Sequence, residues 1–286
     1  MSTLDAPDSG PALGSAEANR RFYETQAAIY DETEFCIRDA QPRARLRAAL
    51  ERALALLGDE PKALDAGGGT GNATLMLRER GLEPLLIDAS PEMLDRYREK
   101  SAALGHRQVL AEEADLESFF VADERRWDLI VFSSVLHHLG DPAEVLEHAA
   151  GRLRTGGVIV TIFDPVEVDR TGDFLRKLDY ALWIAVHSPA TLLRAVRRRL
   201  GARLRPQRSQ APELNVGAQA ERHAMSGLDD AAISRRVQEA GLAVVEHERI
   251  YDARHGSIVA LSRRLARPTH FSLTFRSPAP ERAASP

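Results

Sequence analysis

The chain has 286 residues, 44% of them hydrophobic and 28% charged, with a formal net charge of −4; this is the balance of a soluble globular protein, and the length suits one large domain or a domain with an added cap. No stretch approaches the ~18–20 unbroken apolar residues that span a bilayer, and Met1–Asp5 lacks the basic and apolar regions of a secretory signal, so a cytoplasmic protein is expected. The single cysteine, Cys36, excludes an intrachain disulfide and a cysteine-built zinc cage, and is expected to be a small, half-buried residue.

In chain order, residues 1–16 are rich in Ser, Gly, Pro and Ala and are expected to be disordered. Helical patterns follow at 16–32 and 40–57, the second with Leu46, Leu50, Leu54 and Leu57 at helical spacing. A short strand at 63–66 leads into a glycine-rich turn and a helix over 72–80 that Gly81 ends. A strand at 84–88 precedes a helix with Ser90 as N-cap and Pro91 in its first position. A weak strand at 108–112 comes before Asp115, and 127–132 reads as a strong buried strand. Asp141 caps a helix that runs to about 154, and Gly156-Gly157 launches a second buried strand over 158–163.

After Pro165 the alternation breaks. Residues 170–225 carry helical pattern, a basic run and a Pro/Gln/Ser-rich linker but no convincing strand, which suggests a cap inserted over about 165–227. The alternation resumes with a helix at 228–240 and a strand at 243–250. Residues 256–266 lean to helix, and 269–276 alternates with a period of two as a final strand. Residues 277–286 read as a disordered tail, leaving a domain of 17–276. The expected fold is α/β: a Rossmann-like, seven-stranded, mostly parallel sheet with helices on both faces and a helical cap insertion.

The strongest chemical signal is Asp65-Ala66-Gly67-Gly68-Gly69-Thr70-Gly71, a strand end turning into a helix. Glycines let a ligand lie against the backbone, and the helix start offers free N–H groups. The Gly-Lys-Ser/Thr of a P-loop is absent, and G-x-G-x-x-G does not fit in register. Asp65 would repel a pyrophosphate but attract an ammonium group. Asp88 ends the next strand, where a carboxylate accepts the hydroxyls of a ribose. Asp115, after the third strand and followed by Leu116, is placed to accept the exocyclic amine of an adenine. Three carboxylates at successive strand ends point to one crevice, and to a ligand with an amine, a ribose and an adenine.

On these motifs the sequence resembles the class I S-adenosylmethionine-dependent methyltransferases, in particular the small-molecule group that includes quinone and natural-product enzymes. The resemblance runs from about Phe22 to Arg276, through Leu64–Gly71, Ile87–Leu94, Trp127–Leu139 and Leu153–Gly157. It implies S-adenosyl-L-methionine as cofactor. Asp65 and the Gly67, Gly69 and Gly71 turn would hold the methionine part, Asp88 with Ala89 and Met93 the ribose segment, and Asp115 with Leu116 the adenine. Ser133 would lie near the sulfonium. Phe22-Tyr23 and Ala28–Asp31 are similar to an amino-terminal segment that folds over the site, so Tyr30 would touch cofactor or substrate, or else serve as a packing aromatic.

His137 and His138 follow the fourth strand, where imidazole is well suited to take a proton from a hydroxyl nucleophile. They are expected as catalytic residues together with Asp164 after the fifth strand, His137 slightly ahead of His138; the plain alternative is a turn cap or packing role. No metal site is evident. From Arg176 to Arg208 there are nine Arg or Lys and one acid, Asp179, following or overlapping the apolar Tyr180–Val186. This marks 180–208 either as a solvated helix face or as a segment for peripheral membrane contact. Nucleic acid is not an expected partner, because aromatics do not interleave the arginines and no recognised module is present. The acceptor is expected to be a small or lipid-like molecule methylated on O or N, or on C. The alternatives are membrane-surface methylation of a quinone or lipid, and a non-methylating S-adenosylmethionine-binding protein. The sequence leaves the oligomeric state open.

Overall fold

The computed structural model describes residues 20, 23, 27–187, 227–251 and 256–278. Seven strands form one sheet: β1 (Ala63–Ala66), β2 (Leu85–Asp88), β3 (Ala111–Glu113), β4 (Trp127–Ser133), β5 (Leu153–Pro165), β6 (Ala243–Ile250) and β7 (His270–Arg276). Their order is β3-β2-β1-β4-β5-β7-β6. β7 is antiparallel to both of its neighbours, and the other pairs are parallel. The chain order reverses direction between β1 and β4, and a sheet of this kind opens its ligand crevice there, beyond the carboxyl ends of the strands.

Period-two burial assigns the two faces. Leu129, Val131, Val158 and Val160 face one way and pack with Leu46, Leu50 and Leu77 from α3 (Ala40–Leu54) and α4 (Asn72–Arg78). Ile130, Phe132 and Ile159 face the other way. They pack with Phe120 of α6 (Leu116–Ala122), Leu146 of α7 (Pro142–Ala150) and Val237 of α9 (Asp230–Glu239). The helices α1 (Tyr30–Thr33), α2 (Phe35–Arg38), α5 (Pro91–Ala103), α8 (Arg170–His187) and α10 (Gly256–Arg264) complete those described. The α/β sandwich expected from the alternating pattern is the fold observed.

Several boundaries differ from the expectations, each for a physical reason. The helix expected over 16–32 ends, in its described part, as a turn at Ala27–Ile29 and the single turn α1. β3 lies at 111–113 rather than 108–112, because its partners are the ends of β2: Leu86 pairs with Ala111 and Asp88 with Glu113. α7 stops at Ala150 rather than near 154, since Leu153 is already paired with Trp127 in the sheet. The α6 helix has no counterpart in the sequence reading; Asp115 caps it by accepting from Ser118 N at 3.0 Å. Ser90, Pro91 and Asp141 play the cap and first-turn parts expected of them.

The interval assigned to a cap leaves and rejoins the domain at one place. Val166 and Leu228 form a parallel bridge, with Leu228 N donating to Pro165 O and Glu167 N donating to Leu228 O. Within that interval α8 is a helix, while the basic run 194–208, the expected tail 1–16, residues 279–286 of the expected tail 277–286, and Phe22 lie outside the described residues; Ser277, the first residue of that tail, is bonded to the domain through its N–H to Gly157 O at 2.8 Å. Among the described residues no helix is long and apolar enough to cross a membrane.

Candidate active site

The crevice at the β1/β4 reversal is a cleft open to solvent, with about 890 Å³ of empty space when its open mouth is counted. Asp65, Gly67, Asp88, Asp115, Leu116 and Ser133 all border it. Four strands and the loops after them thus bring together residues spread over 69 positions of sequence. Ala89, Met93, Gly69 and Tyr30 border it as well.

β1 delivers Asp65 to the floor. Its Oδ2 accepts from Thr74 N at 2.9 Å and Thr74 Oγ1 at 2.6 Å, which ties the carboxylate to the start of α4. Its Oδ1 is buried and has no hydrogen-bond partner among the described residues. Burial pushes the Asp65 carboxyl up to about 6 against the Thr74 bonds that favour its charged form. An acceptor left so in a cavity wall is the local demand for a cationic or N–H donor group.

β2 delivers Asp88. Its Oδ2 accepts from Gly69 N at 2.8 Å and its Oδ1 from Ser90 N at 2.9 Å, so the carboxylate braces the glycine turn while bordering the cavity. Burial raises its carboxyl above the usual range. Each oxygen retains a second acceptor site. Asp115 uses Oδ1 for its helix cap.

The glycines of the turn divide into two roles. At Gly68, within the expected turn, a Cβ would stand 2.7 Å from Leu86 and 2.8 Å from Asp65, and this residue borders the cavity. Gly69, at φ +53°, has its open side toward the cavity, with Met93 and Tyr30 nearest. Gly71, assigned above to the cofactor, is placed differently. It is not among the cavity-lining residues; at φ +83°, a Cβ there would stand 2.2 Å from the Tyr97 ring, which any side chain would overlap. It is a packing glycine between the turn and α5.

The other side of the cavity is built after β4 and β5. Ser134 takes a left-handed conformation at φ +61°, and its N–H bonds Ile162 O at 2.8 Å. The 3₁₀ turn Leu136–His138 follows. His138 borders the cavity, and its Nε2 lies 3.0 Å from the Tyr23 hydroxyl. His137, which the sequence reading put slightly ahead, is buried and off the cavity wall. Its Nδ1 is 2.9 Å from Asp164 Oδ1, which also accepts from the His137 backbone N–H at 3.2 Å. The two imidazoles are in contact, tilted at 43° with centroids 4.0 Å apart.

Asp164 reaches His137 through a bulge. The pairing of β5 with β7 shifts between Ile162 and Asp164, and Phe163 sits at φ +68°. Ile162 and Phe163 therefore pack on the same face, breaking the alternation, and Asp164 is turned toward the 3₁₀ turn. A phenylalanine in the left-handed region costs about 1–3 kcal/mol, which the surrounding sheet must offset. Asp164 is wholly buried, its Oδ2 has no partner among the described residues, and burial lifts its carboxyl to about 7. Tyr23 and Cys36 also border the cavity and were not among the expected site residues; Cys36 is buried, and burial pushes its thiol up. Tyr23 was visible only as part of the amino-terminal segment, since its partner lies 115 residues away.

A glycine turn and three strand-end carboxylates around one cavity, on a sheet of this order, define a class I S-adenosylmethionine-dependent methyltransferase arrangement. Residues 64–159 match the family model described as a methyltransferase domain (Methyltransf_12), so the chain carries a domain of that class. The tRNA 5-carboxymethoxyuridine methyltransferase of Escherichia coli strain K12 is 34% identical over 140 residues, 47% of this chain and 51% of that protein. The chain thus spans about half the length of the curated relatives it matches. Among solved structures, the [4+2]-cyclase SpnF aligns with a TM-score of 0.59 at 14% identity, over 94% of this chain and 98% of that one. The magnesium protoporphyrin IX methyltransferase of Synechocystis PCC 6803, solved with S-adenosylhomocysteine, aligns with a TM-score of 0.57 at 15% identity, over 92% of this chain and 100% of that one. These likenesses establish the fold.

Proposed function

We propose that this protein transfers a methyl group from S-adenosylmethionine to a small-molecule acceptor of natural-product type, with a hydroxyl as the acceptor group. The observation that carries the cofactor reading is Asp65 Oδ1, a buried carboxylate oxygen with no partner among the described residues, in the wall of a cavity that Asp88 and Asp115 also border. In this reading Asp65 takes the ammonium of the methionine part, Asp88 the ribose hydroxyls on its second acceptor sites, and Asp115 with Leu116 the adenine edge. Gly67, Gly68 and Gly69 let the ligand lie against the backbone, with Ala89, Met93, Tyr30 and Ser133 around it. Bound there, the cofactor supplies an electrophilic methyl on a sulfonium.

The chain's own part is to position, to exclude water and to move one proton. His138 is the base in this reading, because it borders the cavity and His137 does not. An acceptor hydroxyl that reaches His138 Nε2 takes the position the Tyr23 hydroxyl holds here, and its proton passes to the imidazole. His137 and Asp164 are positioning residues beneath it, Asp164 holding the His137 ring against the His138 ring.

The test is a screen of acceptors by mass spectrometry with S-adenosylmethionine, run with and without EDTA. A product heavier by one methyl and unaffected by chelator is expected; loss in chelator with recovery on Mg²⁺ would overturn the metal-free reading. Among the described residues no three His, Cys, Asp or Glu side chains come together as a metal site. A second reading, favoured by the E. coli relative, has a tRNA nucleoside as acceptor, and including tRNA in the screen distinguishes the two. Binding of S-adenosylhomocysteine without turnover on any acceptor would favour a non-methylating role, as the likeness to a cyclase illustrates.

A further inference from the structure

One residue of the glycine turn does not serve the cavity. Thr70 lies between Gly69 and Gly71, is 1% exposed, and is not among the cavity-lining residues. Its hydroxyl donates to Asp31 Oδ1 at 2.5 Å and accepts from Lys100 Nζ at 3.2 Å. Lys100 Nζ also lies 2.8 Å from Asp31 Oδ2, closing a three-membered node. The three residues come from separate elements: Asp31 from α1, Thr70 from the turn, and Lys100 from the last turn of α5.

A second attachment runs beside it. Arg96, one helical turn before Lys100 and on the same face of α5, donates from Nη2 to Ala28 O at 2.8 Å and from Nε to Ala27 O at 3.4 Å. The strap Ala27–Asp31 is therefore tied to α5 by two cationic side chains and to the glycine turn by one hydroxyl. Tyr30, within that strap, forms a wall of the cavity, with its ring edge 4.0 Å from where a Cβ at Gly69 would stand. A ligand lying on Gly69 is enclosed between the turn and the Tyr30 ring.

We propose that Asp31, Thr70 and Lys100 form a clasp that shuts the Ala27–Asp31 strap over the cavity and sets the rate at which the cofactor leaves. They are positioning residues, acting through Tyr30. Because Thr70 belongs to the turn, the clasp also couples strap closure to the shape of the ligand-binding backbone. The node is about a third exposed at Asp31 and Lys100, so its strength depends on salt, whereas its third member is dry. The proposal rests on the cofactor reading above.

The experiment has two readouts. Dissociation of S-adenosylhomocysteine is timed by stopped-flow for wild type, Lys100→Met, Lys100→Arg, Asp31→Asn and Thr70→Val at low and high salt. Hydrogen exchange of residues 27–31 is measured on the same proteins without ligand. Lys100→Met and Asp31→Asn are expected to speed release by about three- to tenfold and to lose the salt dependence of wild type. Lys100→Arg, which keeps the charge, should stay within about twofold of wild type. Exchange at 27–31 should rise in the same variants. Release rates and exchange unchanged in both Lys100→Met and Asp31→Asn overturn the clasp. A wild type that does not bind S-adenosylhomocysteine overturns the cofactor reading, and with it the clasp's role in release, while exchange alone then decides whether the node holds the strap. Asp31→Asn, isosteric and at a partly exposed site, serves if Lys100→Met fails to fold.

Discussion

The two sides of the cavity are built by different means. On the side of β1 and β2 the polar groups are wired to nearby backbone: Asp65 to Thr74, nine residues on, and Asp88 to Ser90 and Gly69. On the side of β4 and β5 they depend on distant partners. His138 meets Tyr23 across 115 residues, and His137 meets Asp164 across 27 through a strained bulge. Local wiring gives a site that forms whenever the strand-turn-helix unit forms. Distant wiring gives a site that exists only once the whole domain and its amino-terminal strap are in place. Binding and turnover should therefore respond separately to mutation.

The largest expected effect lies on the distant side. His138→Ala should lower kcat by about 10²–10⁴-fold if His138 is the base, with cofactor affinity little changed. Near-normal kcat in a folded variant would remove the base from the mechanism and reduce the contrast to one of architecture alone.

Next comes a contrast within the local side. Gly71→Ala forces a side chain into the Tyr97 ring at a positive φ, and should cost about 2–5 kcal/mol of stability from overpacking and backbone strain together. Gly69→Ala meets backbone strain of about 1–2 kcal/mol at φ +53° but has room on its open side, so it should cost less stability than Gly71→Ala and should also weaken ligand binding. Denaturant unfolding and calorimetric titration with S-adenosylhomocysteine read the two; equal loss of stability in both would mean that the turn is not divided as described.

Asp88→Ala should weaken cofactor binding by about 1.5–3 kcal/mol, the scale of hydrogen bonds to a charged group. The variant also frees the Gly69 and Ser90 backbone N–H groups, so denaturant unfolding of the same variant, measured beside its affinity, separates turn support from direct contact. Unaltered affinity in the calorimeter would contradict the ribose assignment.

The smallest effect concerns Asp164. Its folded pKa, about 7, lies above the ~3.9 of an unfolded aspartate. The folded state then holds more protons than the unfolded one between those values, so this group's stabilisation is complete below about pH 4 and is lost as pH rises through about 7. Wild type should lose thermal stability relative to Asp164→Asn across that window. The loss is modest, because His137 at 2.9 Å can carry the proton in place of the carboxyl. A gap between the two proteins that stays constant from pH 4 to 8 would show that burial does not keep Asp164 protonated.

Much of this molecule was legible in the residues themselves. The Asp65-to-Gly71 turn, the strand-end acids Asp88 and Asp115, the caps Ser90 and Asp141, and the buried strands at 127–132 and 158–163 all depend on short-range pattern, where a few neighbours decide the backbone. Those features sufficed for the α/β class and for one crevice bordered by three carboxylates. The sequence could not separate Gly71 from Gly69, because a glycine that admits a ligand and a glycine that admits Tyr97 look alike until α5 is packed against the turn. Nor could it tell which of His137 and His138 borders the cavity. That choice is made by a one-residue bulge at Phe163, which turns Asp164 onto His137, and by a tyrosine from the other end of the domain that meets His138 at the cavity. Such contacts arise from the packing of remote elements, and a sheet register that slips by one residue reverses which side chains meet.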